Sequence, residues 1–463
     1  MKQPPLGRLE KYGYGIGALG EGLAFNLVAS FFMIYCTDTL GISAWFMAIV
    51  FFLARLWDAF NDPMMGTLSE NIKTKWGKHR PWVALGAATN AVVVVFMFFP
   101  ALSRLADPRF AVAALYILFG MTYTIIDVPY YAYAASFTNM KERDAISVIP
   151  RIFGGVATIG IPALTLTMVN KLGKGSSVQG YFYWALIIGA IFIACALVTT
   201  FTMKKRELGA REKPFTFRDA LYTLRTNDQL LIIETVFVLA MTAITMTTSV
   251  ALYYFKYVWH NPDAYSLFTI TAGAGMGAAL LLYSVLVRKF SRRAIFVVSL
   301  AMPAVGYLIM FVISMLTKNV NFMLPAVVFT VGGFGFIGIF TSVFMVDVVD
   351  YGEWKQGYRS ENIIFSLLTF IGKFAGAIAS LITMGTLYFA GYISTKEDLL
   401  GEAGAAAAIP WQPPAVSLAL NILMFAVPPV ILLIALTLYL KKYKLHGGFM
   451  EGIKGELEKK RAS

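Results

Sequence analysis

The chain has 463 residues, a mean hydropathy of +0.67, 58% hydrophobic residues and only 14% charged ones, whereas a soluble domain runs near ~45–50% apolar and about 25% charged. That excess of apolar surface excludes an ordinary cytosolic enzyme, a disordered chain and a disulfide-built secreted module. The net charge of +13 does not indicate nucleic acid, because the basic residues lie in short clusters between apolar runs, as in cytoplasmic membrane loops.

In chain order, Met1 to Tyr12 is polar, and the apolar run after it is too long for a cleavable signal peptide. Two spans interrupted by charges follow, near 12–37 and 42–68. Uncharged windows of spanning length, for which ~20 apolar residues suffice, then occupy 82–103, 110–126, 152–170 and 175–203. A charged segment, 204–229, separates these from windows at 235–255, 264–287, 294–317, 319–346, 374–395 and 403–440. The basic tail 441–463 is expected to lie at the cytoplasmic surface, with a short amphipathic helix.

The pattern predicts an all-α integral membrane protein of twelve transmembrane helices. With the N-terminus inside, the inner segments hold 29 of the 39 Lys and Arg residues and the outer loops seven, which puts both termini in the cytoplasm. The organisation expected is an N-terminal bundle at 1–203, a central cytoplasmic loop at 204–229, a C-terminal bundle at 230–440 and the tail. Basic clusters recur with a six-helix period. Lys78-His79-Arg80 follows the second span and Arg288-Lys289 the eighth; Lys141-Glu142-Arg143 follows the fourth and Glu353-Trp354-Lys355 the tenth. Twelve spans in two related six-helix bundles is the major-facilitator architecture. Cys36 and Cys195 lie in apolar runs and read as small hydrophobes. With three histidines and no HExxH or CxxC, neither a zinc nor a redox site is expected.

Charges inside spans carry the functional signal, because each costs ~2.5–3.5 kcal/mol at mid-bilayer on insertion scales and needs a polar cavity or a partner. They are Arg55, Asp58, Asp62, Asp127, Arg151 and Lys373, with Glu21 and Glu234 at the margins. Arg55, Asp58, Asn61 and Asp62 share one face of the second span. Two carboxylates and a carboxamide there offer oxygen ligands to a hard cation. The same face also reads as an ion-pair network around Arg55, but two acids against one base leave a surplus negative charge. Pro63 weakens backbone hydrogen bonding one turn earlier. In the fourth span Thr124 and Asp127 face the same way, and Tyr123, Tyr130 and Tyr131 lie close by. A carboxylate with aromatic faces suits sugar hydroxyls and an apolar ring face. Glu234 reads as an interfacial residue at the inner end of the seventh span.

The strings Arg55-Leu56-Trp57-Asp58-Ala59-Phe60-Asn61-Asp62-Pro63 with Trp76-Gly77-Lys78-His79-Arg80-Pro81-Trp82, Thr122-Tyr123-Thr124-Ile125-Ile126-Asp127-Val128-Pro129, and Asp347-Val348-Val349-Asp350-Tyr351-Gly352-Glu353-Trp354-Lys355 resemble the glycoside–pentoside–hexuronide:cation symporter family, of melibiose-permease type. The resemblance implies sodium ligands at Asp58, Asn61, Asp62 and Thr124, and a sugar-binding acid at Asp127. It also implies roles for Arg151 and for Lys373 near both sites. Two positions depart from the pattern. Gly22 stands where the melibiose permeases carry a second sugar aspartate, preceded by Glu21, and Tyr131 replaces a ring-stacking tryptophan. The expected substrate-binding set is therefore Asp127, Arg151, Tyr131, Lys373, Glu21 and Tyr123, with Arg55 as a network residue. The function expected is sodium-coupled import of a sugar or glycoside by alternating access, with lithium or a proton as other coupling ions and no cofactor. The alternative is a proton-coupled carrier of a hexuronide or other anionic sugar. Either works without catalysis, as a monomer, in a bacterial inner membrane.

Overall fold

The computed structural model describes residues 5–72, 74–135, 137, 140–204, 222, 225–357, 361–394 and 411–462. Most of the expected central loop lies outside them. The helices are α1 (Arg8–Leu27), α2 (Ala44–Asn71), α3 (Arg80–Met97), α4 (Arg109–Ala135), α5 (Met140–Gly173), α6 (Ser177–Thr202), α7 (Asp228–Tyr257), α8 (Ala264–Lys289), α9 (Arg292–Leu316), α10 (Val320–Gln356) and α11 (Glu361–Phe389). They are completed by α12 (Pro414–Lys442) and the tail helix α13 (Gly447–Ala462). Among the described residues eleven helices are long and apolar enough to cross a membrane, and α11 adds a helix of 29 residues. The chain is an all-α integral membrane protein with the twelve-helix major-facilitator fold. Helices are the form such a chain must take, since lipid offers no partner for an unpaired backbone group.

By compactness the chain forms two units. The first comprises 1–212, 255–270 and 384–416; the second comprises 213–254, 271–383 and 417–463. In the first unit α1 packs on α5 and α6, α3 on α4 and α6, and α2 on α4. Small residues let α1 approach closely: a Cβ on Gly20 would stand 2.5 Å from that of Cys195. Past Leu27, α1 continues through two π-helical turns, Val28–Phe32 and Tyr35–Thr39.

The second turn delivers Asp38 to a polar knot in the first unit. Its Oδ2 accepts from Lys256 Nζ at 2.5 Å and from the Tyr257 hydroxyl at 2.5 Å, and its Oδ1 accepts from the Tyr392 hydroxyl. The Asp38 side chain is 6% exposed and that of Lys256 24%. Breaking one side of a buried pair strands the other charge. Asp38→Ala should therefore cost on the order of 3 kcal/mol, read as a lowered thermal unfolding midpoint in detergent. Asp38→Asn, which keeps acceptors for the tyrosines, should fall in between.

At the other end of α1 the Tyr14 ring stacks on Tyr130 at 4.3 Å and its hydroxyl donates to the Tyr130 carbonyl at 2.7 Å. Tyr133 donates to Glu10 and accepts from the Lys204 amide at 3.0 Å. His79, just before α3, is 5% exposed and meets the Tyr133 ring edge-on at 6.0 Å. Burial, with Lys78 alongside, pushes its imidazole down to about 4, against the opposing pull of the Pro129 carbonyl. The neutral ring is thus favoured in the fold. Its contribution to stability is complete above the unfolded value of ~6.5 and is lost as pH falls from there through about 4, a change of up to ~3 kcal/mol. His79→Phe, which keeps a ring and removes the titration, should flatten the acid limb of a melting-temperature profile over that window.

In the second unit α9 packs on α10 and α12, and α13 packs on α10. Asn227 caps α7, accepting from the Leu230 amide at 2.9 Å, and its amide donates to the Val348 carbonyl at 3.1 Å. The motif residues at the end of α10 are structural partners here. Lys355 pairs with Asp228 at 2.5 Å, and the tail helix is held by Lys454 on Asp347 at 3.0 Å and by Trp354 on Glu456 at 2.7 Å.

Candidate functional site

The intramembrane charges of the first unit gather into two adjoining clusters between α1, α2 and α4. On α2 the helical repeat stacks Arg55 over Asp58, and the pair closes at 3.0 Å. The second nitrogen of the fork reaches the Tyr116 hydroxyl of α4 at 3.3 Å. One turn further on, Asp62 Oδ1 accepts from the Thr124 hydroxyl of α4 at 2.9 Å. That hydroxyl is also 3.0 Å from the Gly120 carbonyl. Asp58 and Thr124 are 4% and 2% exposed. Asp62 and Thr124 thus meet across the two helices beside the Gly120 carbonyl, and Asp58 Oδ1 lies against the same stretch of α4, 3.1 Å from a Cβ placed on Gly120. Asn61 is half-buried, and its amide nitrogen is buried with no hydrogen-bond partner among the described residues. No group of three or more His, Cys, Asp or Glu among the described residues forms a metal-binding cluster.

The second cluster lies around Asp127, half-buried on α4. Glu21 of α1, 3% exposed, has both carboxylate oxygens buried with no hydrogen-bond partner among the described residues. The Asp127 carboxylate and the Tyr123 hydroxyl lie within its electrostatic reach. Tyr131, 52% exposed, lies within electrostatic reach of Glu21, Asp127 and Arg151. Arg151 itself is exposed on α5. Tyr123 joins the clusters, since it stands within reach of Arg55 on one side and of Glu21 and Asp127 on the other. Its ring packs on Phe25 at 5.2 Å and Phe119 at 5.8 Å.

The offset of Glu21 from the family position does not remove its carboxylate, which turns to Asp127. Gly22 is where α1 meets α5: a Cβ there would lie 2.9 Å from that of Ala157, so an aspartate at this position needs the helices to part. Thr124 and Asp127, on one helical face, serve different clusters. Lys373 belongs to the second unit, half-buried on α11. Glu234, read as interfacial, is 5% exposed on α7, and both its oxygens are buried with no hydrogen-bond partner among the described residues. Sequence reasoning missed Tyr116 and Gly120. Their signal is weak, an aromatic two turns and a glycine one turn before Thr124, on a helix with several of each.

Fold and site together define a multi-pass membrane transporter, not an enzyme. The chain belongs to the MFS/sugar transport protein family, whose match covers residues 13–447. It is 29% identical to the isoprimeverose transporter of Lactiplantibacillus pentosus, over 83% of this chain and 81% of that one. It is 27% identical to the putative glycoside/cation symporter YagG of Escherichia coli (strain K12), over 98% and 95%. The fold matches a bacterial homolog of the human lysosomal transporter Spinster (TM-score 0.67, 14% identity, covering 94% of this chain and 97% of that one). It also matches the D-xylose-proton symporter (TM-score 0.62, 12% identity, 94% and 97%). By family and relatives the chain is a sugar or glycoside transporter of the cation-symporter kind.

Proposed function

We propose that the protein imports a neutral sugar or glycoside together with sodium, by alternating access, across a bacterial inner membrane with both termini in the cytoplasm. The observation that carries the cation half is Thr124 reaching across from α4 to Asp62 on α2. A cation held by Asp58, Asp62 and Thr124 would fix α2 against α4. Through Tyr123 and Asp127 on that same α4, this orders the sugar cluster, and by linkage each ligand then tightens the other. The oxygen-only donor set suits a hard cation, and sodium, with lithium next, is the one proposed. Asn61 would join it through its carboxamide oxygen.

The sugar half rests on Glu21 and Asp127. The buried Glu21 oxygens have no hydrogen-bond partner among the described residues, which is costly, and the paired hydroxyls of a sugar supply donors while its apolar ring face meets Tyr123 and Tyr131. Facing carboxyl groups also favour a neutral glycoside over an anionic one, with Arg151 as their counter-charge. Lys373 is proposed as a further substrate-binding residue, and the carrier to act as a monomer. A second reading, proton-coupled transport of a hexuronide, draws on the same Glu21–Asp127 pair, because two adjoining carboxyls can share a proton. Competition against labelled-substrate uptake in membrane vesicles separates the readings. Neutral glycosides should compete and hexuronides should not; the reverse order would favour the second reading.

A further inference from the structure

We propose that Asn26 of α1 and Thr158 of α5 form a second sugar-binding subsite, which takes the further ring of a neutral two-ring glycoside and makes the carrier prefer it to a single ring; this rests on the neutral-glycoside reading above. The two residues stand where α1 and α5 meet, one turn beyond Gly22 and one residue beyond Ala157, the positions at which the helices approach closely. The Asn26 amide nitrogen donates to the Gly22 carbonyl at 2.7 Å and lies 3.4 Å from the Thr158 hydroxyl. That hydroxyl in turn donates to the Gly154 carbonyl at 3.0 Å.

These bonds decide what the pair presents to a ligand. A carbonyl can only accept, so the carboxamide nitrogen is the atom turned to Gly22, and Oδ1 is left for a ligand. Thr158 has given its one proton to Gly154 and keeps lone-pair capacity. The subsite therefore offers acceptors, which suit ring hydroxyls and disfavour a carboxylate. A contact of 3.4 Å between part-exposed groups is long for a hydrogen bond, so clamping α1 to α5 does not account for the pair.

Helical phase puts the pair beside the first sugar cluster. On α5, Thr158 follows Arg151 by seven residues, so the two share a face, and both are exposed. Arg151 lies within electrostatic reach of Tyr131, which also reaches Glu21 and Asp127. That face of α5 thus looks onto the cluster. Gly155 stands between them on the same face, and an added Cβ there would meet nothing within 4 Å. Seven residues of helix cover about 10 Å, more than one pyranose ring and close to the length of two joined rings. On α1, Phe25 comes between Glu21 and Asn26, and its ring, packed on Tyr123 at 5.2 Å, adds an apolar surface between the two polar ends. Polar groups left accessible this deep in a span are costly against lipid and belong on a polar path.

The test is sugar binding to the purified full-length protein in detergent with sodium present, using neutral disaccharides, each against the methyl glycoside of its non-reducing ring. The pairs are isoprimeverose with methyl xyloside and lactose with methyl galactoside. In at least one pair the wild-type chain should bind the disaccharide about tenfold more tightly. Thr158→Val, which keeps the shape and removes the hydroxyl, and Asn26→Leu should each cut that advantage to about threefold or less, as the loss of one or two hydrogen bonds would. Methyl glycoside affinity should stay within about twofold. Thr158→Val also serves if Asn26→Leu does not fold. A purely structural pair would instead weaken both sugars equally and lower the unfolding midpoint. That result, an unchanged disaccharide advantage in the variants, or a wild-type chain that binds each methyl glycoside as tightly as its disaccharide overturns the proposal and leaves the neutral-glycoside reading intact. A wild-type chain that binds none of the four sugars overturns that reading, and this proposal with it.

Discussion

Asp62→Asn should abolish stimulation of sugar uptake by sodium while leaving a weak, cation-independent sugar affinity. The amide keeps the shape of the carboxylate and an oxygen for the Thr124 hydroxyl, which lies 2.9 Å from Asp62 Oδ1, so α2 and α4 stay joined. What changes is charge. The substitution removes one negative charge beside Thr124, and a bound sodium ion loses that counter-charge within the bilayer, where charge is expensive. The sugar site loses the help of the ion, and because coupling free energies between sites run ~1–3 kcal/mol, apparent sugar affinity should fall about 5–150-fold. Measuring sugar binding to the purified variant with and without sodium checks this. Sodium stimulation of wild-type size in Asp62→Asn would remove Asp62 from the cation site.

Asp127→Cys should do the opposite, losing sugar binding while sodium still binds. Asp127 lies on α4 beside Glu21, whereas Asp62 is the carboxylate that takes the Thr124 hydroxyl, so its removal is expected to act on the sugar cluster first. Hydrogen bonds to a charged group contribute roughly 1.5–3 kcal/mol each, and a carboxylate spanning two sugar hydroxyls makes two. Sugar affinity should therefore drop by about 100-fold or more, while calorimetric sodium affinity stays within a factor of a few. Glu21 remains in the variant and does not rescue it, because one carboxylate cannot serve both hydroxyl pairs.

Much of this architecture is legible along the chain because its causes are local. Apolar runs of spanning length mark the helices, and the spacing of Arg55, Asp58 and Asp62 puts them on one face before any fold is known. The Arg55–Asp58 pair follows from that spacing alone. Contacts between distant segments leave no such trace. Asp38 meets Lys256 and Tyr392 across more than two hundred residues, and nothing in its own neighbourhood marks it as paired. Glu234 sits near a helix end in sequence, where an interfacial reading is natural, yet packing covers it. Glu21 lies about 100° of helix from the family's acid position, but a glutamate is long enough to turn back toward Asp127. Helical phase predicts where a Cα points and not where a flexible carboxylate finishes. Gly22 is the reverse case: its smallness is legible, but its cause, the Ala157 methyl 2.9 Å from a would-be Cβ, belongs to a helix more than a hundred residues away.

Transport as proposed couples sodium, held by Asp58, Asp62 and Thr124, to a sugar held by the adjoining cluster. Its most direct measurement is uptake of a labelled glycoside by vesicles carrying the protein, at fixed pH on both sides, with an inward sodium gradient imposed and then replaced by an equal potassium gradient. Accumulation above the external concentration under sodium, and only equilibration under potassium, is the predicted result. Equal uptake under both gradients, with accumulation appearing only when a pH difference is imposed, would rule out sodium coupling.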